Sequence, residues 1–189
     1  SFYPSKNLGA FGDGGAIFTN DDALASRISM IANHGQSKRY YHDVVGCNSR
    51  LDAVQAAILS IKLKHLDAYN LARQTAADFY DQAFADVASL TTPYRAPYSK
   101  HVFHQYTLLL EGKSRDQLVA YLNERKIPSM IYYPVPGHRQ KMFGLSGNLL
   151  PVLPVTDWLT ERVFSLPIHT ELDQEQLSAI TKAVLDFVG

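Results

Sequence analysis

The chain has 189 residues, of which 46% are hydrophobic, with 18 basic and 18 acidic side chains. That length suits one to one and a half domains with a sizeable core, which excludes wholesale disorder, and no apolar run approaches the ~20 residues that span a bilayer. The balanced charge gives no global field for a phosphate backbone, so neither nucleic acid nor a membrane is expected as a partner.

The segment from Ser1 to Asn20 shows no charged n-region followed by an apolar h-region, so no export signal is read there. It opens directly on a lysine and a glycine cluster with no helix or strand before them, and the expectation is a fragment that begins inside a domain. Gly9, Gly12, Gly14 and Gly15 lack both the GK[ST] ending of a P-loop and the GxGxxG order after a strand, so they read as a tight turn entering the next element. Ala16-Ile17-Phe18-Thr19 is a short β-prone run, and Asn20-Asp21-Asp22 offers an N-cap for the succeeding helix. Apolar residues at Leu24, Ile28, Ile31 and Ala32 predict that helix over Asp22 to Asn33, closed by Gly35 at C′.

Gln36 to Ser49 is polar and aperiodic and reads as a loop. Its Cys47 is the only cysteine, so no internal disulfide is possible, and it reads as a small buried hydrophobe in a reducing cytoplasm. Leu51 to Ala85 is the longest helical stretch, with Val54, Ala57, Ile58, Ile61 and Leu66 as its apolar stripe. Its length predicts a break near His65 to Asn70 that would serve as a domain hinge, dividing the chain into residues 1–68 and 69–189.

Pro93, Pro97 and Ser99 punctuate a loop, after which His101 to Leu110 alternates as a strand. Ser114 and Gln117 make an S-x-x-Q capping box for a helix to about Arg125, and Ile127 to Tyr133 reads as a second strand. Pro134 to Pro154 is too rich in proline and glycine for regular structure and reads as a functional loop. Val155 to Phe164 predicts a short helix and Ser165 to Ile168 a short strand. A last helix is capped by Asp173 and Gln176, with Leu177, Ile180, Ala183, Val184 and Phe187 on one stripe. This order is that of an α+β module.

Among chemical constellations, His101 and His104 would face opposite sides of a strand and could not share one ion, so no metal site is expected. A Ser/His/Asp site lacks its G-x-S-x-G elbow. Lys6 stands apart, because an apolar and conformationally restricted setting favours a neutral, nucleophilic amine.

The run Ser1-Phe2-Tyr3-Pro4-Ser5-Lys6-Asn7-Leu8-Gly9, followed by Gly12-Asp13-Gly14-Gly15-Ala16 and Thr19, resembles the active-site lysine segment of the DegT/DnrJ/EryC1/StrS aminotransferases. The resemblance continues through Asn33-His34-Gly35, Gly46-Cys47-Asn48-Ser49-Arg50-Leu51, Gln55-Ala56-Ala57, Tyr133-Pro134 and Ser165-Leu166-Pro167-Ile168-His169, and so covers essentially the whole chain. Within the family the chain looks most like enzymes that aminate a UDP-linked 3-keto hexuronate.

The resemblance implies the aspartate aminotransferase fold, an α/β fold of which this chain would be the C-terminal part: residues 1–68 finish the large domain and its sheet, and residues 69–189 form a small α+β domain. It implies a cytoplasmic, pyridoxal 5′-phosphate-dependent transfer of an amino group, most often from glutamate, to a nucleotide-linked keto sugar. Lys6 matches the lysine that holds the cofactor covalently and moves protons. Ser1 matches the serine on the cofactor phosphate, and Asn48 the asparagine that reaches the phosphate from the neighbouring subunit, so a homodimer with shared active sites is implied.

Arg50 could present its fork to the substrate's uronate or diphosphate, or cap the following helix through a salt bridge; both remain open. Tyr132 stands where relatives often carry His before the Tyr-Pro pair, and Tyr132, Tyr133 and His138 are candidate substrate contacts. The acidic partner of the cofactor's ring nitrogen and the stacking aromatic are expected from a preceding half of the large domain, so the 189 residues alone are expected to bind cofactor poorly. A histidine in place of Lys6 would mark a dehydratase-like relative, and Lys6 argues against that. The rival from another class is a non-catalytic folded or oligomerising module.

Overall fold

The computed structural model describes residues 1–144 and 151–189. The chain divides into two compact units, Ser1–Ala68 and Tyr69–Gly189.

The first unit opens with an irregular segment and continues into helix α1 (Asp22–Ala32), whose N-cap Asp21 accepts from the Leu24 amide. Its end differs from the glycine stop read in the sequence. The Gly35 amide donates to Met30 O at 2.8 Å, the long bond of a Schellman turn, so His34 with φ +60° is the C′ residue and Gly35 follows it.

Strands β1 (Gln36–Lys38) and β2 (Tyr41–His42) pair antiparallel inside the segment expected to be a loop, with the chain reversing at Tyr40, φ +72°. Polar strands this short carry no readable period. Helix α2 (Ala53–Lys62) is capped by Asp52, which accepts from the Gln55 amide. A 3₁₀ turn over Leu63–His65 then breaks the long helical stretch slightly ahead of the expected place, and α3 (Leu66–Phe84) follows.

Two further expectations fail in this unit for one reason. Ala16–Thr19 forms no ladder, and Phe18 is 97% exposed, because a β-prone run becomes a strand only against a partner strand. The stripe of α2 is likewise displaced: Leu59 is its buried residue, while Val54 and Ile61 are 67% and 63% exposed. Periodicity reports that a face is apolar, not what covers it. Cys47, expected to be buried, is exposed.

In the second unit β3 (Leu90–Thr91), β4 (Tyr106–Leu110) and β5 (Val163–Leu166) form an antiparallel sheet in the order β3-β4-β5, with Tyr106 opposite Leu166 and Leu108 opposite Phe164. Tyr106, Leu108 and Leu110 alternate with less buried Thr107 and Leu109, so one face of β4 enters the core. That core is completed by Tyr80 and Phe84 of α3, Leu118 and Leu122 of α4 (Arg115–Glu124), and Leu177, Ile180 and Val184 of α7 (Gln174–Val188). The cap of α4 is the Ser114 hydroxyl accepting from the Gln117 amide, and α7 carries the full capping box of Asp173 with Gln176.

The expected strand from His101 shortens to β4, since Phe103 takes φ +42° and the His101 Nδ1 accepts its amide at 2.9 Å. The His101/His104 strand geometry therefore does not arise. The expected strand over Ile127 to Tyr133 reduces to one bridge, Met130 to Ser165 on the outer side of β5, because Pro128 has no N–H to extend the pairing. Within the segment read as a loop from Pro134 to Pro154 lie a 3₁₀ turn at Gly137–Arg139 and α5 (Lys141–Gly144); residues 145–150 of it lie outside the described residues. Helix α6 (Pro154–Thr160) completes the unit with proline at its first position.

Among the described residues no helix is long and apolar enough to cross a membrane, and no group of three or more His, Cys, Asp or Glu is placed to hold a metal ion.

Candidate active site

In the first unit the Ser1–Gly15 segment is a closed turn built from its own backbone. The Lys6 amide donates to Tyr3 O at 2.9 Å, Ala10 N to Phe2 O at 2.7 Å and Phe2 N to Gly14 O at 2.8 Å. The chain crosses itself so closely that a Cβ on Gly9 would sit 2.4 Å from Pro4 O, which restricts that position to glycine. Helix α2 then pins the turn from outside. Lys62 Nζ donates to Gly9 O at 2.6 Å, and Gln55 Oε1 accepts the Phe11 amide at 2.8 Å.

These bonds fix the backbone on both sides of Lys6. Its half-buried side chain makes no hydrogen bond or ion pair among the described residues. The Ser1 hydroxyl accepts the Tyr3 amide at 3.3 Å, and Ser1 Cα lies 3.9 Å from where a Cβ of Gly15 would stand.

Asn48 reaches the same unit's cleft by a backbone device. Cys47 N donates to Ile31 O, Ser49 N to Ala32 O and His34 N to Cys47 O, with Asn33 and Asn48 bridged between them. Two glycines permit this approach: a Cβ on Gly46 would lie 2.1 Å from Gly35 N, and one on Gly35, at φ +74°, only 1.8 Å from Val44 O. Arg50 then folds back on Asn48, donating to its Oδ1 from Nε at 3.2 Å and from Nη2 at 3.0 Å. The helix start is capped by Asp52 itself, so the Arg50 salt bridge left open by the sequence is not the arrangement adopted. Asn48 and Arg50 line a cleft of about 680 Å³ together with Gly14, Gly15 and Ala16.

In the second unit Tyr132 lines a cleft of about 180 Å³ with His104, Met130, Ser165 and Ile168. Arg73, on α3, organises its walls: one buried guanidinium nitrogen, Nη1, donates to the carbonyls of Phe103, His104 and Ile168 at 3.1, 3.2 and 2.9 Å. Burial lowers the Arg73 pKa below that of a solvated arginine. Tyr133 meets Tyr132 edge-on with centroids 5.6 Å apart and is 70% exposed.

His138 faces inward: its side chain is 10% exposed, with Nε2 3.8 Å from Asp157 Oδ1, while Arg139 holds the other oxygen of Asp157 at 2.5 Å. The predicted site residues thus gather in two sets, with Lys6, Ser1, Asn48 and Arg50 in the first unit and Tyr132, Tyr133 and His138 in the second. Sequence reasoning missed Gln55 and Lys62 as the residues that hold the lysine turn. Their seven-residue separation, two helical turns on one face, was the available signal.

The DegT/DnrJ/EryC1/StrS aminotransferase family model matches residues 1–185. The chain is 42% identical over 189 residues to the pleiotropic regulatory protein of Geobacillus stearothermophilus, covering 99% of this chain and 50% of that one. It is 44% identical over 184 residues to the UDP-N-acetyl-3-dehydro-alpha-D-glucosamine 3-aminotransferase of Acidithiobacillus ferrooxidans, covering 97% and 48%. The structure of DesV from S. venezuelae, solved in complex with a ketimine intermediate, superposes with a TM-score of 0.91 at 38% identity, covering 99% of this chain and 50% of that one. The chain thus spans about half the length of the curated relatives it matches.

Proposed function

The chain belongs to the DegT/DnrJ/EryC1/StrS aminotransferase family and shares its mixed α/β fold, and from that premise we propose that the whole protein transfers an amino group from an amino acid, glutamate in the simplest case, to a keto sugar carried on a nucleotide. The observation that carries the reading is the Ser1–Gly9 turn, which fixes the Lys6 backbone from both sides and leaves its ε-amine unengaged among the described residues. The relative from A. ferrooxidans supports a UDP-linked 3-keto sugar as the substrate class.

The donor set suits pyridoxal 5′-phosphate. Lys6 supplies a primary amine for the aldehyde, and the Ser1 hydroxyl and Asn48 carboxamide are uncharged donors for a phosphate dianion. Bound there, the cofactor supplies an electron sink for the carbanion formed when an α-proton is lost.

The protein's own part is proton handling and positioning. Lys6 Nζ takes the proton from the α-carbon of the amino donor and, in the second half of the cycle, returns one to the sugar carbon that has received the nitrogen. Tyr132, Tyr133 and His138 would orient the sugar, and the free donors of Arg50 would face an anionic group of the substrate. A homodimer in the cytoplasm, with Asn48 contributed across the interface, completes the reading.

Borohydride reduction of the complete protein loaded with the cofactor, followed by peptide mapping, tests it. A reduced adduct on Lys6 together with amination of a UDP 3-keto sugar is the expected result. Absence of label at Lys6 would leave only a folded, non-catalytic module.

A further inference from the structure

We propose that Arg50 is a positioning residue for Asn48: its fork selects one of the two flips of the Asn48 carboxamide and so leaves the Nδ2 donors for the phosphate that Asn48 reaches across the interface. The inference rests on the reading of Asn48 as a phosphate ligand and adds what makes it a competent one.

The argument begins with the side chain itself. A carboxamide is an acceptor on one side and a double donor on the other, and rotation by a half-turn exchanges them at little intrinsic cost. An asparagine that must donate to phosphate therefore needs something to decide which edge it presents. The Asn48 backbone is already settled by the Cys47, Asn48 and Ser49 pairing against the end of α1, but backbone bonds do not choose the flip.

Arg50 does. Its Nε and Nη2 hydrogens both point at Oδ1, at 3.2 and 3.0 Å. With the amide reversed, these cationic donors would meet the Nδ2 hydrogens, donor against donor, and two charge-assisted bonds would be lost. The Nδ2 hydrogens, without a hydrogen-bond partner among the described residues, are left for a ligand. The i, i+2 spacing suits this use, because an irregular backbone lets the longer side chain double back on the shorter one. A lysine could not substitute, since its ammonium is a point charge without the planar pair of donors.

Affinity separates this role from direct attraction. Binding of pyridoxal 5′-phosphate and of pyridoxal, which lacks the phosphate, is measured on the complete protein for wild type, Asn48→Ala, Arg50→Ala, Arg50→Lys and the Asn48→Ala/Arg50→Ala pair. Positioning predicts that Arg50→Ala and Arg50→Lys both weaken the phosphorylated ligand by about 3- to 10-fold, the worth of one modest hydrogen bond. It further predicts that the double variant is no worse than Asn48→Ala within about twofold, and that pyridoxal binding is unchanged throughout.

Additive losses with Arg50→Lys near wild type would show a simple Coulombic contact and overturn the proposal. So would intact cofactor affinity in Arg50→Ala with a raised KM for the nucleotide sugar. Unchanged affinity in Asn48→Ala would instead remove the phosphate role of Asn48, and the positioning role with it, while leaving Lys6 untouched.

Discussion

The Tyr106 hydroxyl donates to Asp81 Oδ1 at 2.6 Å from inside the core of the second unit, while Arg95 holds the other oxygen of Asp81 at 2.6 Å and reaches Asp78 as well. Burial first, and then the hydrogen bond and charge of Asp81, push the Tyr106 pKa far above that of a free phenol; burial does the same for Tyr80, whose hydroxyl donates to Pro167 O. A raised pKa in the folded state means that the stabilisation is complete below the unfolded value near 10 and is lost as pH rises above it, because the unfolded chain sheds protons that the folded chain keeps. The melting temperature should therefore hold steady up to about pH 10 and fall beyond it, each tyrosine costing up to about 1.4 kcal/mol per pH unit. Tyr106→Phe should flatten that fall while costing about 1 kcal/mol at neutral pH through the lost hydrogen bond. An alkaline limb identical to wild type in that variant would contradict the assignment.

Removing the Arg73 guanidinium should be among the most damaging single changes outside the apolar core. Three carbonyls from two separate segments share its Nη1, and two of those residues, His104 and Ile168, border the Tyr132 cleft. Arg73→Ala leaves these acceptors without their charged donor and opens a void, for an expected loss of about 3 kcal/mol. Arg73→Lys should recover part of it, since its ammonium carries three donors for the three carbonyls but on a shorter stem that does not reach the Nη1 position. The shift in urea midpoint measures both; a loss below about 1 kcal/mol for the alanine variant would mean that water replaces the guanidinium without penalty.

What could be read from the sequence is what is decided locally. Asp21, Ser114 and Asp173 cap their helices because the bond joins a side chain to an amide three residues away, and the α7 stripe lies where its period puts it because Leu177, Ile180 and Val184 join the core of their own unit. The same signals fail where the outcome belongs to a neighbour. Ala16–Thr19 has strand chemistry without a strand to pair with, and Val54 and Ile61 are apolar without a cover in their unit. In the candidate site the residue types of Lys6, Ser1, Asn48 and Arg50 were legible from the motif. The turn bonds from Gln55 and Lys62 and the return of Arg50 onto Asn48 were not, since irregular backbone has no period from which to infer direction.

Gly46 and Gly112 make a matched pair for testing the device that places Asn48. At Gly112 a Cβ would meet nothing within 4 Å, so Gly112→Ala pays only for its φ of +75°, about 1 kcal/mol. At Gly46 the added carbon would stand 2.1 Å from Gly35 N and 2.6 Å from Ile31 O, both backbone atoms that cannot step aside. Gly46→Ala should cost more than about 2 kcal/mol or detach the segment locally, and amide exchange of Cys47 and Ser49 should accelerate with it. Equal effects of the two substitutions would show that the close approach is not maintained in solution.

Lys6→Ala and Lys6→Arg separate the chemistry of the amine from the architecture of its turn. The bonds that shape the turn run through the Lys6 amide, Gly9 O and Gly14 O rather than through the side chain, so neither substitution should unfold it, and thermal stability should stay within about 0.5 kcal/mol of wild type. In the complete protein turnover should fall by at least about a thousandfold in both variants, because arginine keeps the charge but offers no amine able to accept a proton at neutral pH. The KM for the nucleotide sugar should move little, as Lys6 is asked to move protons and not to bind the sugar. A Lys6→Arg variant that retained more than about a tenth of wild-type kcat would place the proton transfers on another group, and the search would pass to the tyrosines and histidine of the second unit.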